Sequence, residues 1–198
     1  MEKTKEIKNN NEANKPKGRI NKTTLDIIYI AMFTAIITVC AQITIPTAIP
    51  FTLQTLGIFV AAGMLGAKRS TLSVLVYVLL GVVGVPVFAG FSGGISVLVG
   101  PTGGYIVGFI FTAFAAGLIC DKFGKKLWVL MLSMAAGLFL CYAFGTAWFV
   151  LVYNSKNDTP IGLWAALGMC VVPYLLFDAA KIVVSAILVN RLNKLVRL

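Results

Sequence analysis

The chain has 198 residues, of which 59% are apolar and 12% charged, with a mean hydropathy of +0.91 and a formal net charge of +10. Soluble globular chains carry about 25% charged residues, so this composition excludes that class and points to an all-α membrane protein. The absence of histidine removes Ser-His and Cys-His nucleophile pairs and leaves no obvious enzyme chemistry.

Residues 1–22, rich in Asn, Lys and Glu, have almost nothing to bury and read as a disordered cytoplasmic tail. Residues 23–198 read as one membrane domain of six transmembrane helices. The first apolar block, Leu25 to Ile43, is long enough to span and lacks a small-residue cleavage site, so it is expected to be retained. The loop that follows, Thr44 to Leu53, contains Pro46 and Pro50 and no charge, which suits a stiff external lid. Gln54 stands at the mouth of the next helix, where its amide can both donate and accept.

Blocks two and three, Thr55 to Ala67 and Thr71 to Val87, are divided by Lys68-Arg69. That turn is no phosphate-binding loop, because Ala62 and Ala67 stand where the motif requires glycine. Next comes Pro86-Val87-Phe88-Ala89-Gly90-Phe91-Ser92-Gly93-Gly94, then a short apolar stretch, then Gly100-Pro101-Thr102-Gly103-Gly104-Tyr105. So many glycines and prolines argue for an irregular external loop, one able to dip back into the bundle as a re-entrant segment. Such backbone is tolerated at membrane depth only where it lines a cavity or packs in protein. Its glycines can bring backbone N–H groups close to a ligand.

Blocks four to six are Gly104 to Cys120, Leu127 to Tyr153 and Leu163 to Val189, the last with an expected kink at Pro173. Cys40, Cys120, Cys141 and Cys170 are dispersed through apolar segments without metal-ligand spacing, so they read as packing residues; no metal or cofactor is expected.

On a six-span layout the basic residues fall on one side. Seven precede the first span, and Lys68, Arg69, Lys122, Lys125, Lys126, Arg191, Lys194 and Arg197 follow, whereas Lys156 alone is opposite. The positive-inside rule then places both termini in the cytoplasm. This accounts for the basic charge with no nucleic acid, and the tail lysines can meet anionic membrane lipid.

Asp178 and Lys181 are the only charges deep within an apolar block, three residues apart on one helix face. Charges at such depth cost about 2.5–3.5 kcal/mol on insertion scales and mark ligand or ion sites. A carboxylate accepts and an ammonium donates, so the pair can bind a small planar group that does both; equally, it can serve only to neutralise itself and fix packing.

Pro50-Phe51-Thr52-Leu53-Gln54-Thr55-Leu56-Gly57, Gly84-Val85-Pro86-Val87-Phe88-Ala89-Gly90, Gly100-Pro101-Thr102-Gly103-Gly104-Tyr105 and Phe177-Asp178-Ala179-Ala180-Lys181 occur in that order. Together they closely resemble the biotin-specific S components of energy-coupling factor transporters, over about Leu25 to Leu192. The resemblance implies a multi-pass subunit of the bacterial plasma membrane that captures biotin from outside. It also implies partners: a transmembrane coupling subunit and two cytoplasmic ATPases, which would supply the missing nucleotide site.

The residues implied to bind biotin are Asp178 and Lys181, with Gln54, Phe88, Gly90, Ser92, Gly93, Gly94 and Tyr105. Asp178 would accept from the ureido group, while Lys181 would donate to the ureido oxygen or meet the valerate carboxylate. Ala31 and Ala35 on helix one would form the docking face. Ser92 and Ile106 stand where some family members carry Asn and Arg, which leaves Ser92, Gln54 or loop N–H groups for the carboxylate. The alternative reading is a stand-alone carrier or facilitator, although no convincing inverted repeat is visible.

Overall fold

Long uncharged stretches give the backbone no water to bond with, so they satisfy their N–H and C=O groups internally as helices. The computed structural model describes residues 21–45, 50–157 and 160–195. The disordered tail expected for residues 1–22 lies outside them, apart from Asn21 and Lys22, and Lys22 already opens the first helix. Seven α-helices are present among the described residues: α1 (Lys22–Gln42), α2 (Gln54–Val82), α3 (Ile95–Val99), α4 (Gly103–Phe123), α5 (Leu127–Lys156), α6 (Leu163–Cys170) and α7 (Val172–Leu195). Five of them, α1, α2, α4, α5 and α7, are long and apolar enough to cross a membrane.

The second and third expected blocks form one element, α2, broken at Gly66, whose φ of 76° and ψ of −176° are non-helical. No loop residues intervene, because this single glycine makes the turn. Along α2, Gly57 lies against Ile37 of α1, Arg69 pairs with Asp26 at 2.7 Å, and the Ser73 carbonyl accepts from Thr34 Oγ1 at 3.0 Å. The first arm therefore runs antiparallel to α1 and the second parallel to it.

The break is held from α4 and the turn after it. Ala67 N–H donates to Asp121 Oδ2 at 2.8 Å, and Lys125 Nζ donates to the Met64 carbonyl at 2.8 Å. Burial, the largest influence on Lys125, lowers its pKa below that of a free lysine. At Gly66 a Cβ would collide with the Asp121 carboxylate, in a backbone region that is essentially glycine's alone. Gly66→Ala is expected to destabilise the fold by about 1–3 kcal/mol. Thermal unfolding in detergent checks this, and a melting temperature equal to the parent's would refute it.

The last expected block is also divided, but at Val171 (φ −122°, ψ −54°) rather than at Pro173. Pro173 sits in the first turn of α7, where a missing N–H costs least. The first loop folds back as two short antiparallel strands, β1 (Thr44–Ile45) and β2 (Phe51–Thr52), paired Thr44 to Thr52 and Ile45 to Phe51. The rest of the expected lid lies in residues 46–49, outside the described residues.

α4 and α5 pack closely through small residues, which lets backbones approach without a hydrophobic drive. Gly108 meets Cys141, Gly137 meets Thr112, and Thr112 Oγ1 donates to the Gly137 carbonyl at 3.0 Å. This contact carries Tyr105, Cys141 and Tyr142 toward the site described next.

Candidate functional site

A cavity lies between the start of α2, the glycine-rich loop, α4, α5 and α7. It is walled mainly by apolar side chains, the character typical of small-molecule sites. Of the expected residues, Gln54, Phe88, Ser92, Tyr105, Asp178 and Lys181 line it, whereas Gly90, Gly93 and Gly94 do not. Ala31 and Ala35 are elsewhere, exposed on α1.

Asp178 and Lys181 are 5% and 6% exposed, so neither charge is screened by bulk solvent. They stand one turn apart on α7 and join at 2.7 Å through Nζ and Oδ1. The ammonium also donates to the Thr52 carbonyl at 2.7 Å and lies 4.1 Å from the centre of the Phe51 ring, a cation–π distance. These contacts take two of the three Lys181 hydrogens and fasten β2 to α7. Asp178 is satisfied on both oxygens, since Tyr142 donates to Oδ2 and Thr55 Oγ1 approaches Oδ1 at 3.4 Å. A carboxylate offers about four lone-pair sites, so these three donors leave room for one from a ligand.

Two other polar groups on the wall are poorly satisfied. Gln54 Nε2 and the Tyr77 hydroxyl approach one another without making a well-formed hydrogen bond. Buried donors of this kind are uncommon, and each is ready for a ligand acceptor.

The apolar wall is set by local fit. Gly81 leaves room for the Phe88 ring, which meets Tyr77 edge-on at 5.5 Å and 70°. Tyr105 lies over Gly145, its hydroxyl 3.0 Å from Thr146 Oγ1, so the ring rather than the hydroxyl faces the cavity. Ile106, Phe109, Cys141 and Cys170 complete this side.

The glycine-rich loop forms a tight turn with φ of 67° at Gly90 and 56° at Phe91, closed by a bridge between Phe88 and Ser92. Ser92 Oγ donates to the Ala89 carbonyl at 2.8 Å, so its hydrogen is already engaged. Gly93 packs on the Val85 carbonyl, and Gly94 N–H donates to the Gly81 carbonyl at 2.7 Å; both shape the loop rather than line the cavity.

Sequence reasoning missed Gln42. From the end of α1 its Nε2 donates to the Val87 and Phe88 carbonyls at 3.2 and 3.3 Å, while its Oε1 accepts from Phe91 N–H at 2.9 Å. Its polar side chain at the end of an apolar block was the available signal. Tyr142, Phe51, Thr52, Thr55 and Tyr77 were missed as well. The aromatics blend with apolar sequence, and the role of Thr52 runs through its backbone.

Residues 9–198 match the family model described as BioY family. A biotin transporter BioY of Thermotoga maritima is 46% identical over 170 residues, covering 85% of this chain and 96% of that protein. A biotin transporter BioY of Rhodobacter capsulatus is 34% identical, with coverage of 82% and 90%. Among solved structures, a crystal structure of the S-component for biotin from an ECF-type ABC transporter superposes with a TM-score of 0.79. It is 28% identical and covers 88% of this chain and 93% of that one.

Proposed function

This chain belongs to the BioY family, and from that membership we propose that it is the biotin-binding, substrate-specific membrane subunit of an ATP-driven energy-coupling factor importer. Its relatives are named as transporters, a role in transport rather than catalysis. The observation that carries the reading is the buried Asp178 on a mostly apolar cavity wall, with under-used donors on Gln54 and Tyr77 beside it.

Biotin's ureido ring offers two N–H donors and one carbonyl acceptor. Asp178 takes an N–H donor, and Gln54 Nε2 with the Tyr77 hydroxyl takes the carbonyl. Lys181, two of whose three hydrogens are used by Asp178 and Thr52, pairs with Asp178 and holds β2 over the site. The fused ring and aliphatic chain rest on Phe88, Tyr105 and Phe109.

In the membrane, each arm of α2 crosses separately, giving six crossings with both termini in the cytoplasm of a bacterial cell. The β1–β2 loop and the glycine-rich loop, with α3 dipping back between its glycines, close over the vitamin from outside. The exposed Ala31 and Ala35 let α1 approach a transmembrane coupling subunit closely. Two cytoplasmic ATPases in the same assembly supply the energy for release, since the chain carries no phosphate-binding loop.

Equilibrium binding of labelled biotin to the purified chain tests the capture role. Saturable binding displaced by desthiobiotin and not by thiamine or riboflavin is expected. No binding by a folded sample would overturn the reading.

A further inference from the structure

We infer that the cavity recognises biotin through its uncharged end and provides no counter-ion for the carboxylate, so that biotin methyl ester and biotinamide bind about as well as the free acid. This rests on biotin being the ligand, and concerns which part of it the protein reads.

Lys181 is the only cation lining the cavity among the described residues. Its ammonium is committed to Asp178 and to the Thr52 carbonyl, each at 2.7 Å, and to the face of Phe51. With Asp178 it sums to zero, so the site presents a dipole rather than a net positive field.

Among the described residues no other cation takes its place. No Lys or Arg occurs in residues 23–67, 70–121, 127–155 or 157–180. Residues 46–49, which belong to the loop over the site, are Pro, Thr, Ala and Ile, and residues 158–159 are Asp and Thr. Arg69 is paired with Asp26. Lys125 reaches Met64 and Asn193 at the other end of the bundle; Asn193 is 15 residues along α7 from Asp178 (193 − 178), which at helical rise is about 22 Å. Lys156 is exposed at the far end of α5, 14 residues beyond Tyr142 (156 − 142), or about 21 Å.

What remains for a carboxylate is neutral: the Thr102 side chain, water at the mouth, and the N-terminal dipoles of α2 and α4. An exposed helix N-terminus changes affinity for an anion by about fivefold at most, whereas a charge-assisted hydrogen bond contributes tenfold or about a hundredfold. These ranges separate, which makes the inference testable.

The full chain in detergent is loaded with labelled biotin and competed with biotin, its methyl ester, biotinamide and 2-iminobiotin. The ester and amide are expected within about fivefold of biotin, and 2-iminobiotin, altered at the ureido group, weaker by about tenfold or more. Ester and amide both weaker than biotin by about tenfold or more would overturn the inference while leaving biotin as the ligand. Failure of biotin itself to bind a folded sample would instead remove the proposed function, and this inference with it.

Discussion

Replacing Asp178 by Asn is expected to weaken biotin binding by about a hundredfold in protein that still folds with reduced stability, the Lys181 ammonium having lost its charged partner. The carboxylate is the one acceptor-only group among the polar side chains that crowd this end of the cavity. Tyr142, Thr55 and Lys181 all direct hydrogens at it. An amide of the same shape has a single acceptor oxygen and adds two hydrogens of its own, so it cannot serve those donors and a ureido N–H group together. Hydrogen bonds to charged groups contribute about 1.5–3 kcal/mol, and the loss of one at the upper end of that range accounts for the factor. Calorimetric titration measures the affinity, and a melting curve on the same sample establishes folding. Affinity within about threefold of the parent would reduce Asp178 to a packing role.

Lys181→Met should produce a large loss of stability, about 3–5 kcal/mol, because it leaves Asp178 buried without its partner. It also deprives the Thr52 carbonyl of its donor, so β2 loses its attachment to α7. The double replacement Asp178→Asn with Lys181→Met separates the two effects. With both charges gone, much of the stability is expected to return, since a buried ion pair replaced as a unit is often close to neutral. Binding stays lost, because the acceptor for the ureido group is still missing. Chemical or thermal unfolding of the two single variants and the double gives the coupling directly. A double variant no more stable than Lys181→Met would show that the pair is not the source of the loss.

The membrane helices were legible because uncharged runs of span length permit little else. Asp178 and Lys181 were legible for the converse reason, as charges where none should be. The breaks were harder to place. The turn in α2 was assigned to Lys68-Arg69, where the charge is, but it occurs at Gly66, where the backbone conformation demands glycine. Likewise the last break was expected at Pro173 and falls at Val171, since a proline in a first turn begins a helix without bending it.

Within the site, the charged pair, Gln54, Ser92, Phe88 and Tyr105 were found, the three expected glycines fall outside the cavity wall, and Tyr142, Tyr77 and Phe51 were missed. Tyr142 and Tyr77 sit in apolar runs in which a phenol counts as one more hydrophobic side chain. Only the fold reveals that one hydroxyl meets Asp178 and the other lacks a well-formed bond. The Gln42 clamp joins residues 42 and 91, and nothing local to either announces the other.

Because the charges of Asp178 and Lys181 cancel, moving the empty cavity relative to the membrane does no net electrical work. Carrying a bound monoanion inward does, and a potential of 100 mV, negative inside, opposes each such charge by about 2.3 kcal/mol. The empty site's own charges would then add nothing to the voltage dependence of its return, whereas the bound anion would add its own to the loaded step.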